Sequence, residues 1–127
     1  MQQLSVSRLF NGENWLENVS VTVENGHVIN IAPAQGECLA ATLVPGFIDV
    51  QVNGGGGALF NTAPNRETLQ RMMRAHTRFG TTAMLPTIIT DSVAVMQQAA
   101  DVIAQAISDG EPGIIGVHFE GPHLSVP

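Results

Sequence analysis

Val44-Pro45-Gly46-Phe47-Ile48-Asp49-Val50-Gln51-Val52-Asn53-Gly54-Gly55-Gly56-Gly57 is the stretch on which the fold turns. Its first part, with Leu43 before it, is apolar on both faces as far as Ile48. That is the pattern of a parallel strand covered from two sides rather than of a half-solvated one. Four successive glycines follow, where no regular element should persist, so the strand ends near Asn53. Asp49 is the only charged side chain between Leu39 and Asn65.

Downstream, Asn65 is placed to cap a helix whose Leu69, Met72, Met73 and Phe79 recur at helical spacing, with Gly80 to end it. Thr81 to Thr87 predicts a second strand, with Pro86 restricting hydrogen bonding at its end. Asp91 or Ser92 would cap a second helix whose broad apolar face runs from Val95 to Ile107. Asp101 is its only charge between Ser92 and Ser108, which implies packing on more than one side. Ile114 to Phe119 predicts a third strand that delivers Glu120-Gly121-Pro122 at its C-terminal end. Upstream, Leu4 to Phe10 alternates as a short strand. Val19, Val21 and Val23, then Asn25-Gly26, then Val28, Ile29 and Ile31 signal a hairpin with a type I′ turn. The order is a small antiparallel β unit followed by β-α-β-α-β, an α/β chain with crossovers suited to a parallel sheet. Either a doubly wound sheet or the start of a (β/α)₈ barrel, which needs about 250 residues, satisfies that order.

The chain has 127 residues, of which 13% are charged, and it contains neither lysine nor tyrosine. A typical domain carries roughly 25% charge, so the bare surface predicts a piece of a larger protein. A net charge of -6, from 5 Arg against 11 acidic residues, argues against a phosphate-backbone partner. At 44% hydrophobic residues and a mean hydropathy of +0.16 the chain is not disordered, and no apolar run approaches the ~20 residues of a membrane span. MQQLSVSRLF lacks a basic and apolar leader, and the single Cys38 makes no internal disulfide, so a cytoplasmic location is expected.

Functional groups of parallel α/β folds gather at the C-terminal strand ends, which here means Gln51 and Asn53, Thr87, and His118 to His123. Gln51 and Asn53 lie two apart and share a strand side. Their neutral amides bind metals weakly and suit orienting a water or ligand, or simply holding a loop. Gly54 to Gly57 matches neither a dinucleotide fingerprint nor a Walker loop, so a close backbone turn is favoured over a phosphate cradle. In His118-Phe119-Glu120-Gly121-Pro122-His123, alternation sets His118 and Glu120 on one face if the strand continues that far. Either suits a divalent metal, while a capping carboxylate with a core histidine explains the same spacing. His27 and His76 read as structural or exposed, and Cys38 has no Cys-x-x-Cys partner.

Val44 to Gly54, taken with Gly116-Val117-His118-Phe119-Glu120-Gly121-Pro122, resembles the N-acetylglucosamine-6-phosphate deacetylase family of the amidohydrolase superfamily. Pro-Gly-Phe-Ile-Asp is widespread in the superfamily, whereas Gln-x-Asn-Gly with His-Phe-Glu-Gly-Pro is specific to that branch. Thr81-Thr82 and Leu85-Pro86-Thr87 add to the likeness. The resemblance implies that residues 1–42 form the N-terminal part of a small β-sandwich. Residues 43–127 would be the first three strands and two helices of a truncated (β/α)₈ barrel, usually in a homodimer. It further implies a hydrolase of amino-sugar catabolism converting N-acetylglucosamine 6-phosphate to glucosamine 6-phosphate and acetate. Glu120 would ligate the catalytic divalent metal, Zn or Fe. Gln51 and Asn53 stand where many superfamily members have His-x-His, which implies one metal rather than two. Gln51, Asn53, His118 and His123 are possible lining residues. The family's catalytic Asp, two histidine ligands and phosphate-holding residues lie further downstream, so this chain alone is expected to be inactive. Two other readings fit the residues: a self-associating, non-enzymatic binding module built from the barrel's first units, and an amidohydrolase of cyclic amides or ureides. The second is weakened by the missing His-x-His.

Overall fold

The computed structural model describes residues 1–123, and the chain divides into two compact units, Met1–Pro45 and Gly46–Pro127. In the first unit, β1 (Gln2–Phe10) pairs antiparallel with β2 (Trp15–Glu24), which pairs antiparallel with β3 (His27–Pro33). Asn25 and Gly26 take φ of 50° and 78°, the two positive angles that a type I′ turn needs. A fourth strand, β4 (Ala40–Leu43), adds parallel to β1, giving the order β3-β2-β1-β4. It was not anticipated: Leu43 reads as the start of the next strand, and parallel pairing with β1 has no local signal. Val6, Leu9, Val19 and Val21 form the buried cluster, and the buried Ser20 hydroxyl is satisfied by Ser5 Oγ at 2.6 Å.

The second unit begins with β5 (Phe47–Val52), four residues later than the sequence suggests. Gly46 fits there because a Cβ at that position would collide with the Thr82 side chain. The polyglycine stretch is not structureless. β6 (Gly54–Gly55) and β7 (Ala58–Leu59) make a miniature antiparallel hairpin whose turn residues Gly56 and Gly57 have φ of 61° and 79°. Then follow α1 (Arg66–Thr77), β8 (Thr81–Ile89), α2 (Val93–Ser108) and β9 (His118–Glu120). β5, β8 and β9 form a parallel sheet in the order β5-β8-β9. The caps are as expected: Asn65 Oδ1 accepts the Thr68 N–H at 2.9 Å, and Ser92 Oγ accepts that of Val95 at 3.4 Å. One core, centred on Phe60, Leu69, Met72, Met84, Ile88 and Ile103, joins both helices to the sheet.

Several expectations fail in instructive ways. Three of the four apolar residues of β5 are not covered: Phe47, Ile48 and Val50 are each about 60% exposed on this edge strand with one neighbour, and Val52 alone is buried in the core. α2 buries Ala99, Ile103 and Ala106 on a single face and leaves Val93 and Ile107 in solvent. Phe79, past the end of α1, is exposed rather than part of the core. Pro86 does not stop β8, which runs on to Ile89 with Pro86 fully buried. Finally, the third strand is shorter than predicted. Ile114 makes only an isolated bridge to Met84, between Gly113 at a φ of 81° and Gly116, and regular pairing starts at His118. No helix among the described residues is long and apolar enough to cross a membrane.

Candidate active site

β9 lies in register with the end of β8, Thr87 opposite His118 and Ile89 opposite Glu120. The strand therefore does reach Glu120, and alternation places the His118 and Glu120 side chains on one face. Thr87, completely buried, shares a hydrogen bond of 3.2 Å between its Oγ1 and His118 Nδ1, which fixes the ring plane. Glu120 is held at its main chain and at its side chain. Its carbonyl accepts the Thr90 N–H at 2.9 Å and the Thr90 hydroxyl at 3.1 Å, and its Oε2 accepts a 3.2 Å hydrogen bond from Gln51 Nε2. Gln51, at the end of β5, thus meets Glu120 across the intervening β8.

Asn53 and His123 are not drawn into this cluster. Asn53 occupies the single-residue break between β5 and β6, where its carbonyl accepts the Phe60 N–H at 2.9 Å. His123 is exposed beyond β9. The glycine hairpin acts as a closely packed turn. His76 Nε2 lies 2.9 Å from the Gly54 carbonyl oxygen, and a Cβ on Gly55 would approach that same nitrogen to 2.7 Å. His76 is thereby structural, as its helical position suggested, and the His27 ring bonds the Asn25 carbonyl in its own hairpin.

Sequence reasoning missed Thr90 and Asn61. The Asn61 amide clasps the last residue of β8 as a strand would, accepting the Ile89 N–H at 3.0 Å and donating to its carbonyl at 3.0 Å, and it also donates to Asp91. The Asp91 carboxyl is held below its ordinary range by the Ser92 N–H first and the Asn61 amide second. Nothing in the chain's periodicity announces a partner 28 residues away.

Glu120 suits a divalent cation as a single oxygen ligand, half-buried at a strand end. Among the described residues no three His, Cys, Asp or Glu side chains converge, so these residues alone do not enclose an ion.

No protein-family model matches the chain. It is 68% identical over 87 residues to an N-acetylgalactosamine-6-phosphate deacetylase of Shewanella, covering 68% of this chain and 22% of that protein. A Haemophilus influenzae N-acetylglucosamine-6-phosphate deacetylase is 35% identical over 118 residues, 93% of this chain and 30% of the relative. The chain is homologous to these deacetylases. A crystal structure of the N-acetylglucosamine-6-phosphate deacetylase from Pasteurella multocida superposes with a TM-score of 0.84 at 28% identity. That match takes in 98% of this chain and 36% of the deacetylase. The chain thus spans between a fifth and two fifths of the deacetylases it matches, and the likeness covers both of its units.

Proposed function

We propose that the chain is the N-terminal part of a metal-dependent amide hydrolase that converts N-acetylglucosamine 6-phosphate to glucosamine 6-phosphate and acetate in the cytoplasm. The observation that carries this reading is the junction of Gln51 and Glu120 at the strand ends of a segment homologous to such deacetylases. In this reading Met1–Pro45 contributes part of a small β-sandwich. The parallel β5-β8-β9 sheet opens a (β/α)₈ barrel whose later strands cover Phe47, Ile48 and Val50, and the complete protein is a homodimer. Glu120 would hold one divalent ion, zinc or iron, together with ligands supplied by those later strands. Such an ion, when bound, polarises the acetamide carbonyl and activates water. Gln51 holds the Glu120 carboxylate and Thr87 holds His118, and in this reading Asn53 and His123 would be further lining residues.

A second reading, the C4 epimer N-acetylgalactosamine 6-phosphate as substrate, is favoured by one specific observation. Identity to the galactosamine-directed relative is 68%, against 35% to the glucosamine-directed one. Acetate release by the full-length protein from each epimer separates the two, and the larger kcat/KM names the substrate. Release from neither would overturn both readings.

A further inference from the structure

We infer that Asn61 is a positioning residue for the end of β9: its amide latches β8 beyond the last rung of β5 and, through Ile89 and Thr90, sets the place of Glu120. The last pair between β5 and β8 joins Val52 to Pro86, which has no N–H to continue the ladder. β9 pairs with β8 as far as Ile89. Successive residues of a strand turn their N–H groups to opposite sides, so with Thr90 facing Glu120, Ile89 faces the side that β5 has left. Asn61 is carried there by the glycine hairpin. The chain doubles back through β6 and β7, the Asn53 carbonyl accepts the Phe60 N–H at 2.9 Å, and the completely buried Phe60 side chain anchors the return. Asn61 then accepts the Ile89 N–H and donates to the Ile89 carbonyl, each at 3.0 Å, and its second amide hydrogen reaches Asp91 Oδ2 at 3.1 Å. Thr90 gives its N–H and its hydroxyl to the Glu120 carbonyl at 2.9 and 3.1 Å. Two adjacent residues thus take two hydrogen bonds each, one pair to Asn61 and the other to Glu120. These contacts are made by protein groups alone; their use in turnover rests on the hydrolase reading above.

The test is amide hydrogen exchange of the full-length protein, resolved at Ile89 and Thr90. Asn61→Ala is expected to speed exchange at Ile89 about 5–10-fold, the loss of one hydrogen bond. It should speed Thr90 as well and leave Leu69 and Met72 in α1 unchanged. Asn61→Asp keeps the acceptor for the Ile89 N–H but sets a second carboxylate against Asp91, so exchange at both residues should rise. Adding Asp91→Asn removes the like charge and is expected to recover most of the lost protection. Unchanged Ile89 exchange in Asn61→Ala overturns the latch, and faster Ile89 with unchanged Thr90 overturns its reach to Glu120. Equally faster exchange in α1 assigns Asn61 to general stability instead, and a double variant no better than Asn61→Asp overturns the pairing with Asp91. A wild type that releases no acetate from either epimer overturns the hydrolase reading, while the exchange rates still decide the latch.

Discussion

The two units of the chain solve the same problem with different means. Met1–Pro45 is a ladder of backbone hydrogen bonds with four buried apolar side chains, and Leu4, Phe10, Val23, Val28, Ile31 and Leu43 line an apolar groove on it. Gly46–Pro127 has a helix-covered core with Phe60, Leu69, Met72, Met84 and Ile88 completely buried. All of the ion pairs among the described residues, and the cross-strand contact of Gln51 with Glu120, lie in this second unit. The difference teaches that precise side-chain placement follows the packed core. Holding a carboxylate to within about 0.5 Å is favoured where its strand is pinned by packing behind it.

The largest expected effect breaks or upholds this contrast directly. Phe60→Ala should remove about 3–5 kcal/mol from the second unit, and Val6→Ala, which deletes two carbons from the smaller cluster, about 2 kcal/mol from the first. Amide hydrogen exchange read separately in β1–β3 and in α1, β8 and α2 measures both. Equal loss of protection in the two units after Phe60→Ala would show a single cooperative core and end the distinction.

A smaller effect sharpens it. The Asp109 carboxyl is held below its ordinary range by the Gln105 amide and then by Arg66, and that of Glu111 by the Gln70 amide and then by Arg66. A carboxyl lowered on folding adds stability above its unfolded pKa, and that stability fades as pH falls through the folded value. Acid should therefore loosen the Arg66 cluster of the second unit before the ladder of the first, and Arg66→Ala should shrink this acid dependence. Arg66 and Asp109 are exposed and Glu111 is only part-buried, so the change is modest. An unchanged acid profile in the Arg66→Ala variant would rule out the cluster as its source.

Much of this architecture is legible in the sequence, and what is not has a physical reason. Asn25-Gly26, Asn65 and Ser92 declare a turn and two helix starts because each acts on backbone within three residues of itself. β4 and the Asn61 clasp on Ile89 depend on partners far along the chain, and no local pattern encodes them. The apolarity of Phe47, Ile48 and Val50 reads as two-sided burial, yet β5 is an edge strand on which all three are exposed. At the site, alternation brought His118 and Glu120 to one face correctly. The partnership of Gln51 with Glu120 needed the strand order, which places β8 between them.

The most direct measurement is of Glu120→Gln in the full-length protein, scored for bound divalent metal and for acetate release from an N-acetylhexosamine 6-phosphate. This substitution keeps the side chain's size and its strand, and removes the charge. The account predicts that bound metal and acetate release are lost together while the unfolding midpoint of the metal-free protein stays near wild type. A Glu120→Gln protein that keeps its metal and its turnover would contradict the placement of the chemistry at the end of β9.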